Sequence, residues 1–139
     1  PDAVFVVAGE PEKAIQVPPN VILLGRVASQ ELLARYYSMA DVTLLTSKRE
    51  TFSMVTAESL CCGTPVVGFK AGAPEQIAIP EYSRFVEQGD ISALRACTNG
   101  FLAEPVDDAL SAVAKDKYSI QTAISRHILL YTDFIGEKR

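Results

Sequence analysis

SKRETFSMVTAESLCCGTPVVGF, residues 47–69, lies between two short apolar runs and carries two glutamates, Glu50 and Glu58, eight positions apart. The run before it, Val42 to Leu45 behind Asp41, is bounded by Thr46 and Ser47 and reads as a buried parallel strand. Lys48, Arg49, Glu50 and Thr51 supply a polar loop. Phe52, Val55, Ala57 and Leu60 then recur roughly at helical spacing up to Cys62, and Gly63 is placed to end that helix as its left-handed cap. Thr64 and Pro65 turn the chain, and Pro65-Val66-Val67-Gly68 returns as a strand. Strand, loop, helix and strand make one crossover unit, which closes right-handedly.

Working outward, Ala3 to Ala8 and Val21 to Leu24 read as two further strands, separated by a polar, proline-containing connection from Pro11 to Asn20. Gly9 closes the first of them, where either a close approach of ligand to the backbone or a plain turn accounts for a glycine. Ser29 caps a helix whose apolar positions are Leu32, Leu33, Tyr36, Tyr37 and Met39. Downstream, Glu75 to Ala78 form a helical turn, Arg84-Phe85-Val86 a short strand, and Gly89-Asp90 cap a helix containing Ile91 and Leu94. A second register would make Asn99-Gly100-Phe101-Leu102 a strand instead. Asp107-Asp108 reads as a helix cap in preference to a metal site, and Ser119 to Ile135 as a terminal amphipathic helix bearing the single histidine, His127, in a surface or packing role. The pattern is α/β: a Rossmann-like parallel sheet flanked by helices.

In open parallel sheets ligands sit outside the carboxyl ends of the strands, which is where residues 48–53 fall. The first N–H groups of a helix lack partners within it, and the helix dipole adds positive potential there, so phosphate is favoured on Thr51, Phe52 and Ser53. Glu58 lies about two turns further along, roughly 12 Å at 1.5 Å per residue. A carboxylate there can accept hydrogen bonds from both hydroxyls of a ribose. Glu50, across the phosphates, would meet whatever is attached to the far phosphate, such as a sugar. The competing account is plain: glutamates near a helix N-terminus also serve the dipole alone. Lys48 and Arg49 read as solvated loop charges.

Composition narrows the classes. The chain has 139 residues, 48% of them apolar, enough for one packed core and too apolar for a disordered tail. Thirteen Lys and Arg against seventeen Asp and Glu give a net charge of −4, with no basic cluster, which speaks against nucleic-acid binding. No apolar stretch approaches the roughly 18 residues of a membrane span, and the chain reads as cytoplasmic. Cys61, Cys62 and Cys97 are odd in number and read as reduced, buried small residues, and one histidine offers no Cys/His zinc spacing.

The motifs carry a resemblance. Glu50 to Glu58 resembles the glutamate, seven residues, glutamate motif of retaining glycosyltransferases of GT-B architecture, family 4 in particular. Cys62-Gly63-Thr64-Pro65-Val66-Val67 is similar to the Gly-Thr-Pro-Val-Val segment that follows it in that family, and Ala71-Gly72-Ala73-Pro74-Glu75 to its Gly-Gly, one residue, Pro-Glu turn. Val21 to Val27 and the helix to Asp41 resemble its strand, Gly-x-Val and Ala-Asp sequence. The resemblance implies the C-terminal, donor-binding half of such an enzyme, truncated at its N-terminal edge over residues 1–139, with the acceptor domain absent. It implies transfer of a sugar from a UDP- or GDP-sugar to an acceptor hydroxyl with retention, without a further cofactor or metal, and a role in polysaccharide biosynthesis. Glu58 would bind ribose, Glu50 would contact the donor sugar near the reacting carbon as the catalytic residue, Arg26 and Val27 would meet the base through their backbone, and Thr51, Phe52 and Ser53 would cradle phosphate. The partners would be the donor and the acceptor half of the same chain, any membrane contact coming through that half.

Two departures stand out: Ser53 where relatives often have glycine, and one glycine between Ala71 and Ala73 where two are usual. Relatives also carry an Arg and a Lys upstream that neutralise the leaving diphosphate, and this sequence begins after them, so the fragment alone is expected to be inactive. The other readings are a non-catalytic nucleotide-binding module and an epimerase-like or phosphorolytic relative. The latter would need a different acid–base set or a pyridoxal lysine.

Overall fold

The computed structural model describes residues 3–10 and 15–136. Pro1-Asp2 and the start of the polar connection, residues 11–14, lie outside the described residues. The chain forms two compact units that divide between Tyr36 and Tyr37.

In the first unit, β1 (Phe5–Ala8) pairs in parallel with β2 (Val21–Gly25), Phe5 opposite Val21 and Val7 opposite Leu23, with a register shift before Ala8. Asn20 fixes the entry to β2: its carbonyl accepts from the Phe5 amide at 2.8 Å and its side-chain amide donates to the Ala3 carbonyl at 3.0 Å. Helix α1 (Gln30–Met39) begins at Ser29, whose hydroxyl accepts from the Leu32 amide at 3.2 Å, the cap expected there.

The second unit holds a parallel sheet of order β3-β4-β5, formed by Thr43–Leu45, Val66–Phe69 and Ser83–Val86. The sequence marked every one of these strands, and the described ones form a two-stranded and a three-stranded parallel sheet flanked by helices, the α/β class expected. β4 is buried along its whole length. Because successive side chains of a strand face opposite ways, Val66 and Val67 serve two different cores. Val66 packs with Leu45, Leu60, Ile79, Leu110 and Ala114; Val67 and Phe69 pack with Leu94 and Phe101. The first core is covered by α2 (Met54–Cys61) and α5 (Ala109–Lys117), the second by α4 (Ile91–Ala103). Each fully buried leucine contributes about 1.5–3 kcal/mol.

Helix α2 ends as expected. The Gly63 amide donates to Leu60 and the Thr64 amide to Ser59, both at 3.0 Å, a Schellman closure whose left-handed residue is Gly63 at φ 88°. Asp90 caps α4 by accepting from the Ala93 amide at 2.9 Å, and residues 99–102 lie inside that helix, which removes the strand register. At α5 the capping oxygen comes from Asp107, which accepts from the Ala109 amide and from the Tyr82 hydroxyl; Asp108 makes no side-chain cap bond. α3 (Pro74–Ile77) is a single turn whose end is held by the last residue of α5 and the one after it, Lys117 donating to the Ala78 carbonyl at 2.9 Å and the Tyr118 hydroxyl to that of Ile77 at 2.8 Å. α6 (Ile120–Gly136) is amphipathic as read, yet Ile124, Ile128, Leu129 and Tyr131 are all more than half exposed. Among the described residues no helix is long and apolar enough to cross a membrane.

Candidate functional site

The three parallel strands of the second unit put their carboxyl ends on one edge, and the segments leaving them are stitched together there. Gln88, past β5, donates to the Ser47 carbonyl at 2.9 Å; the Glu50 amide donates to the Ala71 carbonyl at 3.0 Å; the Lys70 amide donates to the Val86 carbonyl at 2.8 Å. An ion pair between Lys70 and Glu87 adds to the seam. Arg49, Glu50, Thr51 and Ala71 line an open depression of about 410 Å³ at this edge. Two sequence-chosen residues, Glu50 and Thr51, thus share a surface, and Arg49 joins them although it read only as a solvated charge.

The turn after β4 is built around one carboxylate. Glu75 accepts from the Ala71 amide at 3.1 Å and the Gly72 amide at 3.0 Å. Gly72 stands at φ 103°, so the single glycine of Ala71-Gly72-Ala73 falls where a side chain would be strained. Burial works to raise the Glu75 carboxyl, but hydrogen bonds from its own amide and from those of Ala71 and Gly72 outweigh it and hold the group below its ordinary value.

Helix α2 opens at Met54, later than the apolar spacing placed it. Thr56 and Ala57 both donate to the Ser53 carbonyl, at 3.1 and 3.4 Å, so the amides at the helix start left without a partner among the described residues are those of Met54 and Val55. Thr51 and Phe52 are exposed bends ahead of the helix. Ser53 is buried, left-handed at φ 68°, and its hydroxyl shares a hydrogen bond with that of Thr56 at 2.9 Å. That conformation explains the departure at this position: it is one glycine adopts without strain and serine adopts at a cost.

Glu58 lies on α2, partly buried, with Oε2 accepting from the Tyr37 hydroxyl at 3.2 Å. Tyr37 is itself fixed, because Thr64 Oγ1 donates to its carbonyl at 2.5 Å. Burial first, then the charge and hydrogen bond of Glu58, push the Tyr37 phenol far above its ordinary value, so it remains a proton donor at any physiological pH. Helical spacing had marked Tyr37 only as apolar, since periodicity reports the ring and is silent on the hydroxyl.

Arg26 and Val27 follow β2 in the first unit, Arg26 exposed and Val27 partly buried. His127 is an exposed residue of α6 whose Nδ1 meets the Ala123 carbonyl at 2.8 Å. The three cysteines are unpaired, and the described residues contain no group of three or more His, Cys, Asp or Glu side chains arranged to hold a metal.

Residues 1–111 match the family model described as Glycosyl transferases group 1. An N-acetyl-alpha-D-glucosaminyl L-malate synthase of Bacillus anthracis is 27% identical over 126 residues, 91% of this chain and 30% of that protein. An MMP alpha-(1->4)-mannosyltransferase of Mycolicibacterium hassiacum is 34% identical over 115 residues, 78% of this chain and 28% of the other. The chain therefore spans about a third of these relatives. An Anabaena protein crystallised with UDP superposes with a TM-score of 0.65 at 22% identity, covering 82% of this chain and 32% of that one, a likeness of fold.

Proposed function

The chain belongs to the glycosyl transferases group 1 family, and on that premise we propose that it is the donor-binding, C-terminal half of a retaining GT-B enzyme of family 4. The whole protein would move a sugar from a nucleoside diphosphate to an acceptor hydroxyl, the acceptor being held by a further domain. The bond from the anomeric carbon to the diphosphate breaks, a bond to the acceptor oxygen forms on the same face, and the hydroxyl proton leaves with the nucleotide.

The observation that carries this reading is the segment between β3 and α2. In it Glu50 lines an open depression at the carboxyl edge of the sheet, and the Met54 and Val55 amides follow without partners of their own. Unpaired amides at a helix start favour a diphosphate. Glu50 would face the donor sugar, Thr51, Phe52 and Ser53 would cradle the phosphates, and Glu58 would take the ribose hydroxyls. A diphosphate nucleotide is also what the Anabaena neighbour holds, in the form of UDP. No resident cofactor enters the reading, because helix amides and cationic side chains supply the positive potential that a metal would bring.

Calorimetric titration of the complete natural protein with UDP and GDP tests it. Saturable binding of one of them is expected, weakened roughly tenfold or more in Glu58→Ala, because hydrogen bonds to a charged group are worth about 1.5–3 kcal/mol. Absence of binding at millimolar nucleotide, or Glu58→Ala behaving as wild type, would overturn the proposal.

A further inference from the structure

Glu58 is not alone. Its Oε2 accepts from the Tyr37 hydroxyl at 3.2 Å, and Tyr37 comes from the end of α1, 21 positions earlier in the chain. The connection is anchored from behind. Thr64, at the closure of α2, donates through Oγ1 to the Tyr37 carbonyl at 2.5 Å and reaches that of Ala40 at 3.3 Å. Ser38 Oγ donates to the Cys62 carbonyl at 3.3 Å. The last turn of α1 is therefore pinned to the last turn of α2, and the phenol is delivered to the carboxylate by backbone on both sides.

A glutamate has three side-chain torsions, and fixing them on binding costs conformational entropy. Here one oxygen is already held. An ionised carboxylate offers about four acceptor positions, so a single phenol donor leaves enough for the two hydroxyls of a vicinal diol. Orientation paid for in advance is gained as affinity.

Resting on the proposed role of Glu58, we infer that Tyr37 is a positioning residue that aims the Glu58 carboxylate at a ribose diol, and so sets the preference of this protein for ribonucleotides over 2′-deoxyribonucleotides. Tyr37 makes no contact with the nucleotide in this arrangement and acts through Glu58.

The experiment compares Tyr37→Phe, Glu58→Gln and the double variant in the complete natural protein, titrated with UDP, GDP and their 2′-deoxy analogues. Phenylalanine keeps the ring and loses one oxygen, so the helix end retains its packing. Tyr37→Phe is expected to weaken the ribonucleotide about 3- to 10-fold while leaving the deoxy analogue nearly unchanged, as the loss of one ordinary hydrogen bond dictates. The double variant should bind no worse than Glu58→Gln alone, the signature of two groups acting as one. Equal weakening of ribo and deoxy ligands by Tyr37→Phe, or full additivity with Glu58→Gln, would mean a merely structural tyrosine and overturn the inference while leaving Glu58 in place. Should Glu58→Gln bind ribo and deoxy ligands with the wild-type ratio, the assignment of Glu58 to ribose fails first, and the inference with it.

Discussion

Ser53 shows how one residue can be both strained and useful. Its left-handed backbone turns the chain from the Glu50 loop into α2, and its hydroxyl satisfies that of Thr56, which is fully buried. Glycine would relieve about 1 kcal/mol of strain but leave the Thr56 hydroxyl alone, at about 1 kcal/mol. Ser53→Gly should therefore be close to neutral, whereas Ser53→Ala keeps the strain, loses the bond and should be less stable by about 1 kcal/mol; urea denaturation of the two variants checks the order. Glu75 gives a pH dependence. Its folded carboxyl lies below the ordinary value, held there by the Ala71 and Gly72 amides against the effect of burial. A depressed carboxylate stabilises the fold above its unfolded pKa, near 4.3, and that contribution disappears as pH falls through the folded value. Glu75→Gln should thus be less stable than wild type at pH 7 and converge on it toward pH 3. A constant gap across that range in melting experiments would refute the assignment.

At the scale of elements, the crossover unit from β3 to β4 was legible because each step carries a local signal. A short apolar run, a Gly63 closure and a Pro-Val-Val return are features within a few residues, and the structure reproduces them. The start of α2 was less legible: Phe52 has the spacing of a helical residue, but the left-handed Ser53 intervenes, and a φ angle leaves no mark in hydrophobic periodicity. Asp107 and Asp108 show a similar limit, since which of two adjacent carboxylates caps α5 depends on the distant Tyr82 hydroxyl. The Tyr37–Glu58 contact, 21 residues apart, was invisible for the same reason. Gly68 is the converse case, a glycine with an ordinary backbone whose need comes from packing alone. A Cβ there would lie 2.6 Å from the Leu45 carbonyl oxygen and 3.1 Å from the Phe85 ring. Two strands cannot yield as a flexible side chain can, so Gly68→Ala should cost about 1–3 kcal/mol. Thermal unfolding reads this directly, and a melting point unchanged from wild type would show that the sheet gives way easily.

For the molecule as a whole, burial is unevenly distributed, and stability should follow it. β4 is hydrogen-bonded on both edges and apolar-packed on both faces, with Val66 and Val67 wholly inaccessible. In the first unit, by contrast, Val6 and Val7 of β1 remain 40% and 43% exposed, and within the second unit α6 has no buried residue among those described. Amides open to solvent with free energies ranging from nearly zero at loosely packed segments to the global value in the core. The second unit carries both apolar clusters, so opening β4 means disrupting both at once, whereas α6 can fray without disturbing either. Deuterium exchange of this chain, followed by mass spectrometry of its peptides, should therefore find residues 66–69 the slowest and residues 120–136 among the fastest of the ordered segments. Between these extremes the site-bearing loops should exchange quickly in the free chain, because Thr51 and Phe52 are exposed and the Met54 and Val55 amides have no partner to protect them. Saturating UDP or GDP, whichever binds, should slow the amides of residues 50–55 while leaving residues 120–136 unchanged. Protection that appeared first in α6, with residues 50–55 unaffected, would move the ligand away from the edge of the β3-β4-β5 sheet.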